Sequence, residues 1–202
     1  HSGTTSGVRR KGDMRSVKEN KIIYANPDHC LTCHSCELAC AVAHGDGRDV
    51  IAAVAARLPL HPRNHVVAFE GGAMPMQCRQ CEDAPCTFAC PTGACRQADG
   101  QIQIVDQHCI GCKLCVMVCP FGAITVRSEA HVGEDACTNR GVAKKCDLCT
   151  DWRADNGRTD PACVDACPTK AIQMIDLQDY RTALRVARAR EIALSHRHMR
   201  IQ

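Results

Sequence analysis

The sequence predicts an α+β fold of short strands and short helices, arranged as two similar modules. Three observations lead there. The chain has 18 cysteines among 202 residues, which makes cysteine its organising residue. Sixteen of the 18 fall into four groups of one form. The stretches between groups are short and alternate apolar with polar residues, the pattern of a half-buried strand. Aromatics are scarce: Trp152, Tyr24, Tyr180, Phe69, Phe88 and Phe121 are the full set. Something other than large apolar side chains must therefore fill part of the core.

The four groups are Cys30, Cys33, Cys36 and Cys40; Cys78, Cys81, Cys86 and Cys90; Cys109, Cys112, Cys115 and Cys119; and Cys146, Cys149, Cys163 and Cys167. Each reads C-x2-C, a spacer, then C-x3-C, with spacers of two, four, two and thirteen residues. The third, CIGCKLCVMVCP, is similar to the bacterial ferredoxin run that binds [4Fe–4S] clusters. The spacing has a local reason. Two intervening residues make a tight loop that aims several sulfurs, and its own N–H groups, at one cluster. The x3 step starts a helix, which turns the fourth cysteine toward a neighbouring cluster. A following proline ends that helical turn. Four [4Fe–4S] clusters are the expectation. Zinc in one site is the competing reading, because an isolated C-x2-C pair also suits tetrahedral zinc.

The elements follow in order. IIYA (22–25) reads as a strand, broken by Asn26-Pro27-Asp28 just before Cys30. Cys40 precedes Ala41 instead of proline, so the first helix should run on into 41–60, and a small apolar helix is expected within 47–60. PTGAC (91–95), PFGAI (120–124) and PTKAI (168–172) repeat after three of the fourth cysteines. IQIV (102–105), ITVRS (124–128) and IQMID (172–176) read as further strands. Each unit is thus strand, cluster loop, short helix, strand. Two units make one bacterial-ferredoxin-like 2x[4Fe–4S] module, and four make two modules. The C-terminal stretch carries Leu177, Tyr180, Leu184 and Ala187 at helical spacing, with Arg181, Arg185, Arg188 and Arg190 around them. It reads as a basic amphipathic helix that docks on a partner or anionic lipid, or packs one face on the domain.

The formal charge is +3 with neutral thiols. Four thiolate-ligated clusters of about −2 each would bring the holoprotein to about −5, which removes any suggestion of nucleic-acid binding. Residues 1–13 resemble a vector-derived leader, with Met14 as the natural start. No stretch approaches the roughly 20 apolar residues of a membrane span, and no signal peptide is evident. The expected compartment is the reducing cytoplasm, where so many disulfides would not persist.

Lys113 and Arg79 lie inside motifs and could raise a cluster potential, though solvated loop side chains are the plainer reading. His34, His29 and His108 lie in or beside motifs. Cysteine already fills four positions per cluster, so they read as polar loop residues. Cys95 stands where Ile124 and Ile172 stand in the sister repeats, and reads as a core thiol. Cys137, in EDACTNRG, reads as a loop thiol, with an interface ligand as the alternative.

CLTCHSCELACAVAHG and PMQCRQCEDAPCTFACPTGA resemble the four-cluster ferredoxin-like electron-transfer subunits of bacterial redox complexes, over about residues 20–176. Members serve molybdopterin oxidoreductases, formate–hydrogen systems and carbon monoxide dehydrogenase. The short chain and ELACAVAH are most similar to the iron–sulfur protein that accompanies nickel carbon monoxide dehydrogenase and passes electrons to a membrane-bound hydrogenase. The resemblance implies a linear wire of clusters running motif one, motif four, then the pair of motifs two and three. Motifs two and three are contiguous, in a module at 74–130. The pairing of one with four, in a discontinuous module of 14–45 and 131–176 flanking an insertion at 46–73, rests on elimination and on the resemblance. Four ligand sets are then expected: Cys30, Cys33, Cys36 and Cys167; Cys146, Cys149, Cys163 and Cys40; Cys78, Cys81, Cys86 and Cys119; and Cys109, Cys112, Cys115 and Cys90. No catalytic residue is expected. The partners implied are carbon monoxide dehydrogenase and the hydrogenase, with peripheral contact at the inner face of the membrane. A subunit of a molybdopterin or formate–hydrogen enzyme, and a free polyferredoxin, are the alternatives.

Overall fold

The computed structural model describes residues 20–45, 49–57, 59–127 and 141–198. The expected leader and Cys137 lie outside the described residues. Along the chain run β1 (Lys21–Ala25), α1 (Ser35–Ala43), α2 (Val50–Ala55), β2 (His65–Phe69), β3 (Gly72–Met76), α3 (Pro85–Phe88), β4 (Cys95–Ala98), β5 (Gln101–Ile104), α4 (Leu114–Val118), β6 (Thr125–Arg127), β7 (Val142–Lys144), α5 (Thr150–Asn156), α6 (Ala162–Asp165), β8 (Ile172–Asp176) and α7 (Leu177–His198).

The strands form antiparallel pairs: β1 with β8, β2 with β3, β4 with β5 and β6 with β7. The first joins the two ends of the chain, with Lys21 opposite Asp176 and Ala25 opposite Ile172. Alternation sets its faces, since Ile23 and Ala25 are buried while Tyr24 is exposed. Helices pair in the same sense. α1 packs on α6, and α3 packs on α4. Ala39, Ala43 and Ala162 lie in the first contact, where small side chains let short helices approach closely.

Local chemistry sets the approach to the motifs. The Asn26 side chain accepts from the Asp28 amide at 3.0 Å, and Pro27 opens a 3₁₀ turn that delivers the chain to Cys30. Asp106–His108 repeats that turn before Cys109. The long spacer of motif four is taken up by α5, which Gly157 ends in the left-handed conformation. Two cores result. Ile23, Leu148, Val164 and Ile172 surround Cys36, Cys78, Cys146, Cys163 and Cys167. Ile102, Ile124 and Ala143 surround Cys86, Cys95, Cys109 and Cys115. Thiols occupy the space that aromatics fill elsewhere.

Several expectations change. α1 runs on past Cys40 as expected, but only to Ala43, and His44 is its C-cap. The helix expected within 47–60 is the short α2. The 46–73 segment also contributes the hairpin β2–β3, which crosses the expected module boundary at 74. The strand read at 102–105 is one arm of the hairpin β4–β5, turned by Asp99 and Gly100 with φ of 51° and 77°. Asp-Gly between alternating stretches is a hairpin signature, and it was legible in the sequence. α7 leaves nearly all its described side chains exposed, Leu184 and Ile192 included, so it does not pack one face on the body. It is held at its start by the Leu177 amide on the Asn20 carbonyl at 3.1 Å and by Arg181 Nη2 on Glu82 Oε1 at 3.1 Å. Among the described residues no helix is long and apolar enough to cross a membrane.

Two glycines give a graded test of the loops. A Cβ at Gly93, φ +65°, meets nothing within 4 Å. Gly93→Ala should therefore cost only the left-handed backbone penalty, about 1 kcal/mol, or about 2–4 °C in Tm. At Gly111, φ +69°, a Cβ would lie 2.4 Å from the Gly141 carbonyl oxygen. Gly111→Ala should lower Tm clearly further. Equal shifts in the two melts would refute the close approach of the motif-three loop to Gly141.

Candidate metal centre

The four C-x2-C loops share one backbone device. The residue just before the second cysteine lies in the left-handed region in every case: Thr32 at φ 55°, Gln80 at 50°, Gly111 at 69° and Leu148 at 58°. Three of these are not glycine, and each carries a penalty of about 1–2 kcal/mol. A penalty repeated at one position of four repeats marks a functional constraint on the loop. His34 and Lys113, immediately after the second cysteine, are left-handed too and start α1 and α4. The turn after the fourth cysteine is also shared. The amides of Gly93, Gly122 and Lys170 each donate to the carbonyl of the cysteine three residues back, at 3.3–3.4 Å.

The thiols gather in fours. Cys30, Cys33, Cys36 and Cys167 line a small cavity together with Val66, Pro75 and Ile172. The β2–β3 hairpin thus forms part of its wall. Cys90, Cys109, Cys112 and Cys115 line a second small cavity with Cys95, Ile104 and Val126. In the other two gatherings, burial raises Cys81 and the thiols of Cys78, Cys86 and Cys119 raise it further. Burial pushes the Cys163 thiol well up, with Cys146, Cys40 and Cys149 adding to it. Burial likewise holds Cys36 up at about 11.

Such grouping resists ionisation of the free thiols, because neighbouring thiolates repel and burial penalises each charge. A cationic iron–sulfur core removes both penalties at once, and the donor set suits it: sulfur in fours, with amides aimed at the sulfurs. The Cys95 amide donates to Cys90 Sγ at 3.3 Å, the Ala143 amide to Cys109 Sγ at 3.4 Å and the Arg63 amide to Cys40 Sγ at 3.3 Å. Burial works upward on Cys90 and Cys167. The amides of Cys95 and Ile172, with the hydroxyls of Thr92 and Thr169, outweigh it and lower both thiols.

The other residues singled out in the sequence stand as follows. Arg79 spends its guanidinium on the Ile23 carbonyl at 3.3 Å, tying motif two to β1. Lys113 is exposed. His29, His34 and His108 are exposed, and His34 Nδ1 pairs with Glu37 Oε2 at 2.9 Å. Cys95 is 3% exposed, like Ile124 at 3% and Ile172 at 2%, which places it in the core at the matching repeat position. The neighbouring Cys95 thiol favours ionisation of Cys86 and, against burial, holds it below the usual thiol range.

Sequence reasoning missed a polar group at motifs one and four. His44 donates from Nε2 to Asp147 Oδ1 at 2.9 Å and from Nδ1 to the Cys40 carbonyl at 2.7 Å. Arg63 pairs with the other Asp147 oxygen. Burial works against charge on His44, but Asp147, Cys149 and Cys40 outweigh it and push it up to about 12. His44, Asp147 and Cys149 present donor atoms within 4.8 Å of one another. An imidazolium donating from both nitrogens has no lone pair for a metal, so His44 braces the site without ligating. The signal was there in AVAH, since His44 follows Cys40 by one helical turn.

Short strand pairs, tight left-handed cysteine loops and thiols in fours define an iron–sulfur protein of ferredoxin-like build. The 4Fe-4S dicluster domain family matches residues 70–177, and the chain belongs to that family. It is 79% identical over 189 residues to an "Iron-sulfur protein" of Rhodospirillum rubrum, covering 94% of this chain and 100% of that one. It is 39% identical over 163 residues to the "Electron transport protein HydN" of Escherichia coli K12, covering 78% and 89% of the two chains. It is 33% identical over 184 residues to "Formate hydrogenlyase subunit 2" of the same organism, covering 79% and 84%.

Cys90 and Cys95 give a paired test. Cys95→Ala should keep the iron content of the parent protein, measured after anaerobic purification. Cys90→Ala should lose iron or convert one cluster to a form with a changed EPR signal. Iron loss in Cys95→Ala would make Cys95 a ligand.

Proposed function

We propose that the chain is an electron-transfer iron–sulfur subunit that relays single electrons through four [4Fe–4S] clusters. The observation that carries this reading is the completeness of the thiol groups. Cys30, Cys33, Cys36 and Cys167 form one ligand set, and Cys40, Cys146, Cys149 and Cys163 a second. Cys78, Cys81, Cys86 and Cys119 form the third, and Cys90, Cys109, Cys112 and Cys115 the fourth. Cysteine ligation at all four corners leaves no iron open to a substrate. The protein's contribution is then potential and path, set by hydrogen bonds to sulfur, burial and nearby charge. The pairings of α1 with α6 and of α3 with α4 support ligand exchange within motifs one and four and within two and three.

On this reading the electron donor is a carbon monoxide dehydrogenase and the acceptor a membrane-bound hydrogenase, as the ELACAVAH resemblance implies. The chain then works at the cytoplasmic face of the membrane, held there by its partner. A second reading has specific support. Relatives named HydN and formate hydrogenlyase subunit 2 favour a formate–hydrogen complex. The exposed basic α7 is the element that engages either partner.

The expected stoichiometry is about sixteen irons and sixteen sulfides per chain. Zinc in place of four irons would turn one site into a structural centre. Anaerobic mixing then separates the partners. Catalytic carbon monoxide dehydrogenase with CO should bleach the visible cluster absorbance within turnovers of the enzyme. Bleaching only by a formate dehydrogenase with formate would select the second reading. Removal of residues 178–202 should leave iron content intact and weaken complex formation at least tenfold. Unchanged affinity would remove α7 from the interface.

A further inference from the structure

Lys145 is 4% exposed. A buried ammonium normally has a carboxylate beside it, because an unpaired buried charge is costly. Its neighbour Lys144 has one, pairing with Asp106 Oδ2 at 2.7 Å. Among the described residues no ion pair involves Lys145. Lys145 Nζ instead donates to the Cys146 carbonyl at 2.8 Å. The same carbonyl accepts from Gln80 Nε2 at 3.0 Å, while Gln80 Oε1 accepts from the Ile102 amide at 2.8 Å. Motif two, motif four and β5 therefore meet at one carbonyl with a cation on it. Cys78 and Cys146 belong to the same buried core. The Lys145 charge favours the thiolates of Cys78 and Cys86, against the burial that raises Cys78.

We propose that Lys145 is a fixed buried countercation at the junction of motifs two and four, which holds the cluster site of Cys78, Cys81, Cys86 and Cys119 at a raised reduction potential. This rests on the ligand sets proposed above. The step is the uptake of one electron, supplied by the partner enzyme or, in the test, by dithionite through mediators. It adds one negative charge to that site, with no bond made or broken and no proton required. Lys145 favours the reduced state because its charge is already in place and is little screened by water. Gln80, which shares the Cys146 carbonyl with Lys145, lies in the motif-two loop between Cys78 and Cys81, so the cation stands beside this set. The exposed Lys113 and the backbone-engaged Arg79 do not have this position, although the sequence drew attention to them.

The test is an anaerobic EPR-monitored redox titration of the full holoprotein, with iron and sulfide counted on each sample. Lys145→Gln keeps a donor for the Cys146 carbonyl and removes the charge; Lys145→Arg keeps the charge. Lys145→Gln should retain its iron and shift one cluster's reduction equilibrium at least tenfold toward the oxidised state, which is 59 mV for one electron. The other clusters should move less. Lys145→Arg should restore most of the shift, and Lys144→Gln should produce a smaller one than Lys145→Gln. Iron retained with all potentials unchanged would overturn the proposal, as would an equal shift in Lys145→Arg. Iron lost from both variants would reduce Lys145 to a packing role and overturn it too. Iron lost from Lys145→Gln but kept by Lys145→Arg would support the need for the charge. Fewer than sixteen irons in the parent protein would instead count against the ligand sets, independently of any shift.

Discussion

Sulfur repels sulfur when both are ionised and buried, and most of this fold answers that one constraint. Thiols in groups of four, with Cys146 and Cys163 deep in the core, do not form a comfortable apolar centre. They do form a ready-made ligand shell for a cationic metal core. The left-handed residues Thr32, Gln80, Gly111 and Leu148 show the backbone accepting strain to aim them. A chain with only six aromatics cannot offset that strain by conventional packing. A bound metal core would add cohesion by neutralising the gathered thiolates, which would couple its binding to folding.

From this follow the small sheets and short helices. A two-stranded pair buries little by itself. β1 with β8 and β6 with β7 become useful because each closes the far side of a thiol group. The small residues Ala39, Ala43 and Ala162 let α1 and α6 approach closely beside the thiols. The β2–β3 hairpin walls the motif-one group from outside, with Val66 and Pro75 in the cavity lining. Charge is placed as deliberately as sulfur. The His44–Asp147–Arg63 group braces the junction of motifs one and four, and Lys145 with Gln80 does so between motifs four and two.

What a linear sequence reveals here depends on the range of the interaction. Cysteine spacing acts over a few residues, so the four groups, their loops and the strands beside them were legible. So was the equivalence of Cys95 with Ile124 and Ile172, because the repeats share a short turn chemistry. The Asp99-Gly100 hairpin is equally local, since Asp-Gly alone supplies its turn. The end of α1 at His44 was harder. His44, at the helix end, is tied to Asp147, 103 residues away, a contact that no local pattern announces.

The sequence by itself determined the chemistry: sixteen thiols of four-fold pattern, the 4Fe-4S class and the four-fold repeat. Tertiary structure decided what each polar side chain is for. Arg79 and Lys113 sit inside motifs, yet one serves a backbone carbonyl and the other lies in solvent. Lys145 and His44 sit beside motifs, the one buried on the Cys146 carbonyl and the other half-buried on Asp147. The reason is physical. Spacing along the chain fixes which atoms can reach a common centre. Burial and the dielectric around a charge are set by segments far away in sequence, and only the assembled fold brings those together.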